Sequence, residues 1–231
     1  MRKDHLKYTD IDLYQDEKMF KYNSDTTCLG MSLDEMKNKT VLDMGCNNGS
    51  LLLYAHLKGA KKLIGCDIFQ EALDLAKLNV EPMNKDYEFH CCRVQDLNID
   101  PVDVIICNPP YFPMTRDIRE DEYYKRAMFE ESMPLDDMFS TFRRLLKDNG
   151  VVYTLYPADR FLELYEMALK YKMKFMKIRF VHDKKKELAL RVIVKMKIGP
   201  MNKTRILSPI FIDHGDVYFE DNKASCSCSD S

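Results

Sequence analysis

The sequence predicts an α/β fold on a mostly parallel, seven-stranded sheet whose last strand is antiparallel. Three observations predict it. Short apolar runs at 40–44, 62–67, 102–107 and 151–156 alternate with segments of helical apolar period, the pattern of strands joined by crossover helices. Two further runs, 175–181 and 188–196, are joined only by His182-Asp183-Lys184-Lys185-Lys186-Glu187 and read as a closing hairpin. Residues with chemical potential recur just after the strands, where open α/β sheets bind ligands. With 231 residues, 45% hydrophobic and 31% charged, the chain suits one domain with a full core.

Residues 11–22 read as a short hairpin or extended arm. Ser24-Asp25-Thr26-Thr27 offers a cap for a helix over 29–36. The first sheet strand, 40–44, leads to a helix over 50–58, where Leu51, Leu52, Tyr54, Ala55 and Leu57 carry the apolar period. The second strand, 62–67, precedes a helix over 70–80 that Pro82 ends. The third and fourth strands are 87–92 and 102–107. Segment 109–134 is polar, charged and broken by Pro113; a loop of this length in a compact domain is usually functional, and it is the expected substrate loop. A helix over 135–147, a strand over 151–156, a helix over 159–171 and the hairpin complete the order. The domain is taken as 1–222, with 1–38 an amino-terminal arm and cap. The polar stretch 223–231 reads as a disordered tail.

Composition narrows the class. No apolar run approaches the ~20 residues that span a membrane, and the charged start Met1-Arg2-Lys3-Asp4-His5 is not a signal peptide. Six of the eight cysteines (Cys28, Cys46, Cys66, Cys91, Cys92, Cys107) fall in or beside expected strands and loops, and no Cys-x-x-Cys pair occurs. They read as reduced, packed thiols of a cytoplasmic protein, with no metal centre expected. A monomer without an obligate protein partner is expected. Charge is uneven. From 170 to 205 there are thirteen Lys or Arg against Asp183 and Glu187, a net +11 in a chain of −2, so the remainder carries −13. That asymmetry points to a polyanionic partner met by one face. Lysines alternating with apolar residues on an edge hairpin also protect against aggregation, and that reading stays open.

The most informative stretch is Asn108-Pro109-Pro110-Tyr111, directly after the strand 102–107. Pro109 biases Asn108 away from the helical region, and Pro110 fixes its own φ and removes a donor. The result is a rigid turn presenting two acceptors, the Asn108 side-chain oxygen and the Pro109 carbonyl, beside a tyrosine ring. Two fixed acceptors and a π-face suit a planar group bearing an NH2. Upstream, Val41-Leu42-Asp43-Met44-Gly45-Cys46-Asn47-Asn48-Gly49-Ser50 runs from strand through tight turn to helix, the nucleotide-binding corner of open α/β sheets. Leu63-Ile64-Gly65-Cys66-Asp67 ends in an acid 24 residues after Asp43, placed to accept both ribose hydroxyls of a nucleoside cofactor. Asp96, after the third strand, is placed to accept from the cofactor's adenine amine. Each acid alone reads as an ordinary cap or loop carboxylate; their succession at strand ends makes the pattern.

On these residues the chain resembles the class I S-adenosylmethionine-dependent methyltransferases, whose fold is Rossmann-like. Within them it is similar to the bacterial tRNA(Val) adenine-N6 methyltransferase family, over about residues 10–221. Phe20-Lys21-Tyr22-Asn23-Ser24-Asp25-Thr26-Thr27 resembles that family's aromatic-Gly-Thr-Asp-Ala stretch. Arg179-Phe180-Val181-His182 and Ser208-Pro209-Ile210-Phe211-Ile212 resemble its later segments. The resemblance implies S-adenosylmethionine as cofactor, tRNA as partner, and methylation of an adenosine N6 amine next to the anticodon. It implies Asn108, Pro109, Pro110 and Tyr111 at the reaction. It implies Asp25, Thr26, Asp43, Gly45, Cys46, Asn47, Gly49, Asp67, Ile68, Asp96, Leu97 and Asn108 around the cofactor. Tyr111 and Phe112 are expected on the target base, and His182, Lys184, Lys185, Lys186 and Arg191 on the RNA.

Departures from the pattern are Asn47 and Asn23 where glycine is usual, and Ala127-Met128-Phe129-Glu130 where the family has Ala-Arg-His-Glu. Asn tolerates left-handed backbone better than other non-glycine residues. The rivals are a protein-glutamine N5 methyltransferase acting on a release factor and a non-catalytic RNA-binding relative. Release-factor enzymes usually carry an extra amino-terminal helical domain, whereas 39 residues precede Thr40 here.

Overall fold

The computed structural model describes residues 1–111, 133–186, 188–200 and 203–219. The arm is a hairpin of β1 (Arg2–His5) and β2 (Asp12–Gln15), in register from Arg2 with Gln15 to His5 with Asp12. Leu6 and Leu13 bury it in the core. Helix α1 (Ser24–Met31) starts five residues before the expected 29–36, because Asn23 is the cap: its side chain accepts from the Thr26 N–H. Asp25 and Thr27 thereby enter the first turns of the helix and face inward. There follow β3 (Thr40–Met44), α2 (Ser50–Leu57), β4 (Lys62–Asp67), α3 (Gln70–Val80), β5 (Asp86–Cys91) and β6 (Val102–Cys107), close to expectation. Next come α4 (Leu135–Leu145), β7 (Leu146–Pro157), α5 (Phe161–Lys170), β8 (Met173–Asp183) and β9 (Ala189–Ile198).

Strand β7 begins at Leu146 rather than at 151. Lys147-Asp148-Asn149-Gly150 has turn composition, yet Leu146 pairs with Val102 and Val151 with Val104, so the extra residues between them bulge out of β7 without ending it. Beyond the seven expected strands the sheet gains β10 (Arg205–Ile206), β11 (Ile210–Asp213) and β12 (Asp216–Phe219). Among the described residues it has ten strands, ordered β12-β11-β8-β9-β7-β6-β3-β4-β5, with β10 beside β8. Strand β9, last of the seven, runs antiparallel to both β7 and β8. Ile210 and Val217 are buried and α1 packs on β12, which is what holds the added edge.

Helices α1, α2 and α3 pack in succession, as do α4 and α5. The chain steps from β3 outward to β5, then returns to place β6 on the other side of β3. The topological switch point therefore lies between β3 and β6. The arm is tied to this point. The Asn79 side chain of α3 accepts from the Tyr14 N–H (2.7 Å) and donates to the carbonyls of Tyr14 (3.0 Å) and Asn48 (2.8 Å). Gly30 lets α1 cross onto the Tyr54 ring, where a Cβ would stand 2.1 Å from a ring carbon.

Candidate active site at the carboxyl edge of the sheet

Strand register builds the site. Met44 lies opposite Cys66 on β4 and Cys107 on β6, so Gly45, Asp67 and Asn108 leave the sheet side by side. The β3–α2 loop is left-handed at Gly45 (φ 75°), Asn47 (φ 45°) and Gly49 (φ 76°). Asn47 thus adopts the conformation for which glycine is usual, and its side chain donates to the Phe20 carbonyl (2.7 Å). The Gly45 and Cys46 N–H groups donate to the Cys66 carbonyl at 2.8 and 3.0 Å. Asp67 Oδ2 accepts from the Asn47 N–H (2.9 Å), and Oδ1 from the Phe69 N–H (3.1 Å). Burial still raises the Asp67 carboxyl above its ordinary range, against the pull of these amides. Asp43, in the strand beneath, is fully buried, and neither carboxylate oxygen has a hydrogen-bond partner among the described residues. Burial, and then the nearby Asp67 charge, push its pKa well up.

Asn108 follows the last residue of β6. Its side-chain oxygen is buried and has no hydrogen-bond partner among the described residues. Tyr111 is 9% exposed, and its hydroxyl donates to Asp25 Oδ2 at 2.5 Å. Arg191 Nε donates to the same Asp25 oxygen (2.9 Å) and to the Tyr111 hydroxyl (3.1 Å). The Arg191 guanidinium lies over the Tyr111 ring, 4.8 Å from its centre. Cys107 is buried with its Sγ 3.7 Å from Met133 Sδ, and burial drives its thiol pKa well up, so it packs rather than attacks.

One cleft collects most of the residues expected at the reaction and the cofactor. Thr26, Gly45, Cys46, Asn47, Asp67, Ile68, Asn108, Pro109, Pro110 and Tyr111 line it. So do Phe20, Tyr22, Asn48, Ser50, Leu51, Phe69, Cys92, Val94 and Met133, which were not singled out as site residues. The aromatic pair Phe20 and Tyr22 was visible in the stretch before α1. Phe69, Val94 and Met133 carry no local motif and could be found only through the fold.

Several expectations change. Asp25 is absorbed by Tyr111 and Arg191. Gly49 serves packing: a Cβ there would stand 3.2 Å from Ala76 Cβ of α3. Asp96 is exposed and Leu97 buried in the core, because the short turn Val94–Asp96 presents Val94, not the acid, to the cleft. Arg191 turns inward onto Asp25 and Tyr111 rather than outward as a free cation. Lys184 pairs with Asp213 (3.3 Å) and lies over Tyr218, while Lys185 Nζ is 3.0 Å from His214 Nε2. His182 packs beside Phe211. His182 and these lysines are at the carboxyl end of β8, on the same sheet edge as the cleft but several strands away. Phe112 and nearly all of loop 109–134 lie outside the described residues, as does the tail 223–231.

Residues 35–208 match the family described as a methyltransferase domain. The chain is 26% identical over 213 residues to the tRNA1(Val) (adenine(37)-N6)-methyltransferase of Dyadobacter fermentans, spanning 90% of this chain and 88% of that protein. It is 34% identical over 135 residues to a Methanocaldococcus jannaschii protein provisionally named a protein N5-glutamine methyltransferase, spanning 57% and 68%. The ribosomal protein L11 methylase of Lactobacillus delbrueckii subsp. bulgaricus shares the fold, with a TM-score of 0.57 at 18% identity, covering 77% of this chain and 81% of that one. The matched domain, the mostly parallel sheet and the cleft at its switch point agree: the chain belongs to the methyltransferase-domain family and is a class I S-adenosylmethionine-dependent methyltransferase.

Proposed function

We propose that this enzyme methylates the exocyclic N6 amine of an adenosine in tRNA, next to the anticodon, in the cytoplasm. The observation that carries the reading is the buried Asn108 oxygen in the cleft, without a partner among the described residues and next to the Pro109 carbonyl and the Tyr111 ring. S-adenosylmethionine supplies an electrophilic methyl group on a sulfonium. The cleft suits it: Gly45, with the buried Asp43 beneath, would hold the methionine end, Asp67 would accept from the ribose hydroxyls, and Ile68, Phe69 and Val94 would wall the adenine.

An exocyclic adenine amine is a poor nucleophile because its lone pair is delocalised into the ring. The Asn108 oxygen and the Pro109 carbonyl accept its two hydrogens and favour a pyramidal nitrogen. Alignment of that nitrogen supplies much of the acceleration. Tyr111 stacks on the base, and the proton lost from nitrogen leaves to solvent. Anticodon-loop bases are already partly unpaired, which lowers the cost of extruding one. The relatives named as tRNA adenine-N6 methyltransferases span 77–90% of this chain, which supports RNA as the substrate.

A second reading, methylation of a protein glutamine, is favoured by the 34% identity noted above; a primary amide also presents a planar NH2. The test is tritiated-methyl transfer to unmodified tRNA transcripts, with release-factor protein and duplex DNA in parallel. Label in N6-methyladenosine is the expected result. Label in protein alone overturns the RNA reading. No label, with cofactor bound, indicates a non-catalytic relative.

A further inference from the structure

The cluster Asp25–Tyr111–Arg191 joins three distant parts of the chain at the cleft wall. Asp25 comes from α1, Tyr111 from the turn after β6, and Arg191 from β9, where it lies opposite Pro157 of β7 and Val181 of β8. Both donors converge on Asp25 Oδ2, and the Asp25 and Arg191 side chains retain only 12% and 22% of their exposure. Next to the cluster, Arg160 Nη1 donates to the Tyr111 carbonyl at 3.4 Å. The Tyr156 ring meets the Tyr111 ring edge-on, at 6.3 Å. Burying an ion pair costs desolvation that apolar residues of similar volume would avoid, so its presence here calls for a specific geometric role.

The geometry supplies one. Pro110 restricts the backbone immediately before Tyr111, so holding the ring also holds the turn that carries the Asn108 oxygen and the Pro109 carbonyl. Arg191 covers one face of the ring, while Tyr111 still lines the cleft. We infer that Asp25 and Arg191 are positioning residues for methyl transfer: they clamp Tyr111, and through it the two amine acceptors, in the reacting geometry. The clamp rests on Asn108 and Tyr111 forming the amine-binding turn, and not on which amine enters it.

The test compares Tyr111→Phe, Arg191→Lys, Asp25→Asn and the double variant Asp25→Asn with Arg191→Lys, using tritiated-methyl transfer to the tRNA transcript. Tyr111→Phe keeps the ring and loses only its hydroxyl bonds, so it stays informative should the charge variants fold poorly. Displacement of positioned groups by about 1 Å can cost 10²-fold, so kcat is expected to fall roughly 10- to 100-fold. KM for the transcript and the affinity for S-adenosylhomocysteine, read by calorimetry, should stay within about twofold. The double variant should cost no more than the worse single one, as for residues acting as one unit. Unchanged kcat, or losses confined to cofactor affinity or melting temperature, overturns the clamp. Should the wild type methylate release factor instead, the RNA reading fails, and the same variants measured on that protein still decide the clamp. Amide hydrogen exchange of the peptide carrying Asn108 to Tyr111 decides it without any substrate: faster exchange in Tyr111→Phe and Arg191→Lys is expected, and unchanged exchange overturns it.

Discussion

The cleft and the β8–β12 region share one sheet, but they treat polar groups in opposite ways. At the cleft, Asp43 keeps two buried carboxylate oxygens and Asn108 one amide oxygen without partners among the described residues. In and around β8–β12, several cations are paired with carboxylates. Asp34 binds Lys177 (2.7 Å), Lys195 (2.7 Å) and the Tyr153 hydroxyl (2.9 Å), and these donors hold its carboxyl far below the ordinary range despite partial burial. Lys184 meets Asp213, and Lys170 meets Asp136. A buried polar group without a partner costs free energy that a folded chain ordinarily avoids. Where such groups persist together in or beneath a cleft, they mark the place of a ligand. Where cations are already paired, a net charge of +11 counted along the chain overstates what an RNA would meet.

The largest expected effect is at Asn108. Asn108→Ala removes one of two acceptors for the amine, and loss of a comparable preorganised contact costs roughly 10²- to 10³-fold in kcat. Cofactor affinity should change by less than about twofold; retention of most turnover would remove the amine-acceptor role and with it the contrast drawn above.

Next is Asp43. Its pKa is raised in the folded protein, so the free protein is favoured while Asp43 is protonated and loses stability as pH rises through that raised pKa. A cationic cofactor favours the ionised form, so its affinity should climb with pH over the same window, above the ordinary carboxylate range. Asp43→Asn should weaken cofactor binding by roughly tenfold or more, the factor that accompanies one pH unit of linkage. It should also raise the melting temperature of the free protein at neutral pH. Calorimetry and melting between pH 5 and 8.5 check both; a pH-independent affinity would show that Asp43 stays neutral in the complex.

The smallest effect is at the β8–β9 turn. Lys185 and Lys186 stand for the basic residues left after pairing, and each phosphate contact contributes roughly 0.7–0.9 to the salt slope of RNA binding. Lys185→Ala with Lys186→Ala should therefore lower the slope of log K against log salt by about one to two. Adding Lys184→Ala should lower it little further, because Lys184 already holds Asp213. A slope unmoved by all three returns the turn to the role of a solvated, aggregation-resistant edge.

Much of the fold could be read locally. The bounds of β3, β4, α3 and β6 follow from apolar runs ended by Gly, Asp, Pro or Asn, and the glycine loop and Asn108-Pro109-Pro110-Tyr111 announce a site. The misplaced boundaries have physical causes. Asn23 caps α1 better than the residues after it, and the pairing of Leu146 with Val102 carries a turn-like segment into β7 as a bulge. Asp96 lies outside the cleft lining, because a single 3-10 turn decides which side chain faces the cleft and presents Val94.

By itself, the sequence determined the α/β class, the switch-point corner and the chemistry of the acceptor turn, because each depends on residues within a few positions of one another. Only the tertiary structure decided that Asp25 and Arg191 belong to Tyr111, that Lys177 and Lys195 belong to Asp34, and that Phe69, Val94 and Met133 wall the cleft. These pairings span tens of residues to more than a hundred. They are set by strand register and helix packing, which bring together side chains whose mutual neutralisation no local pattern records.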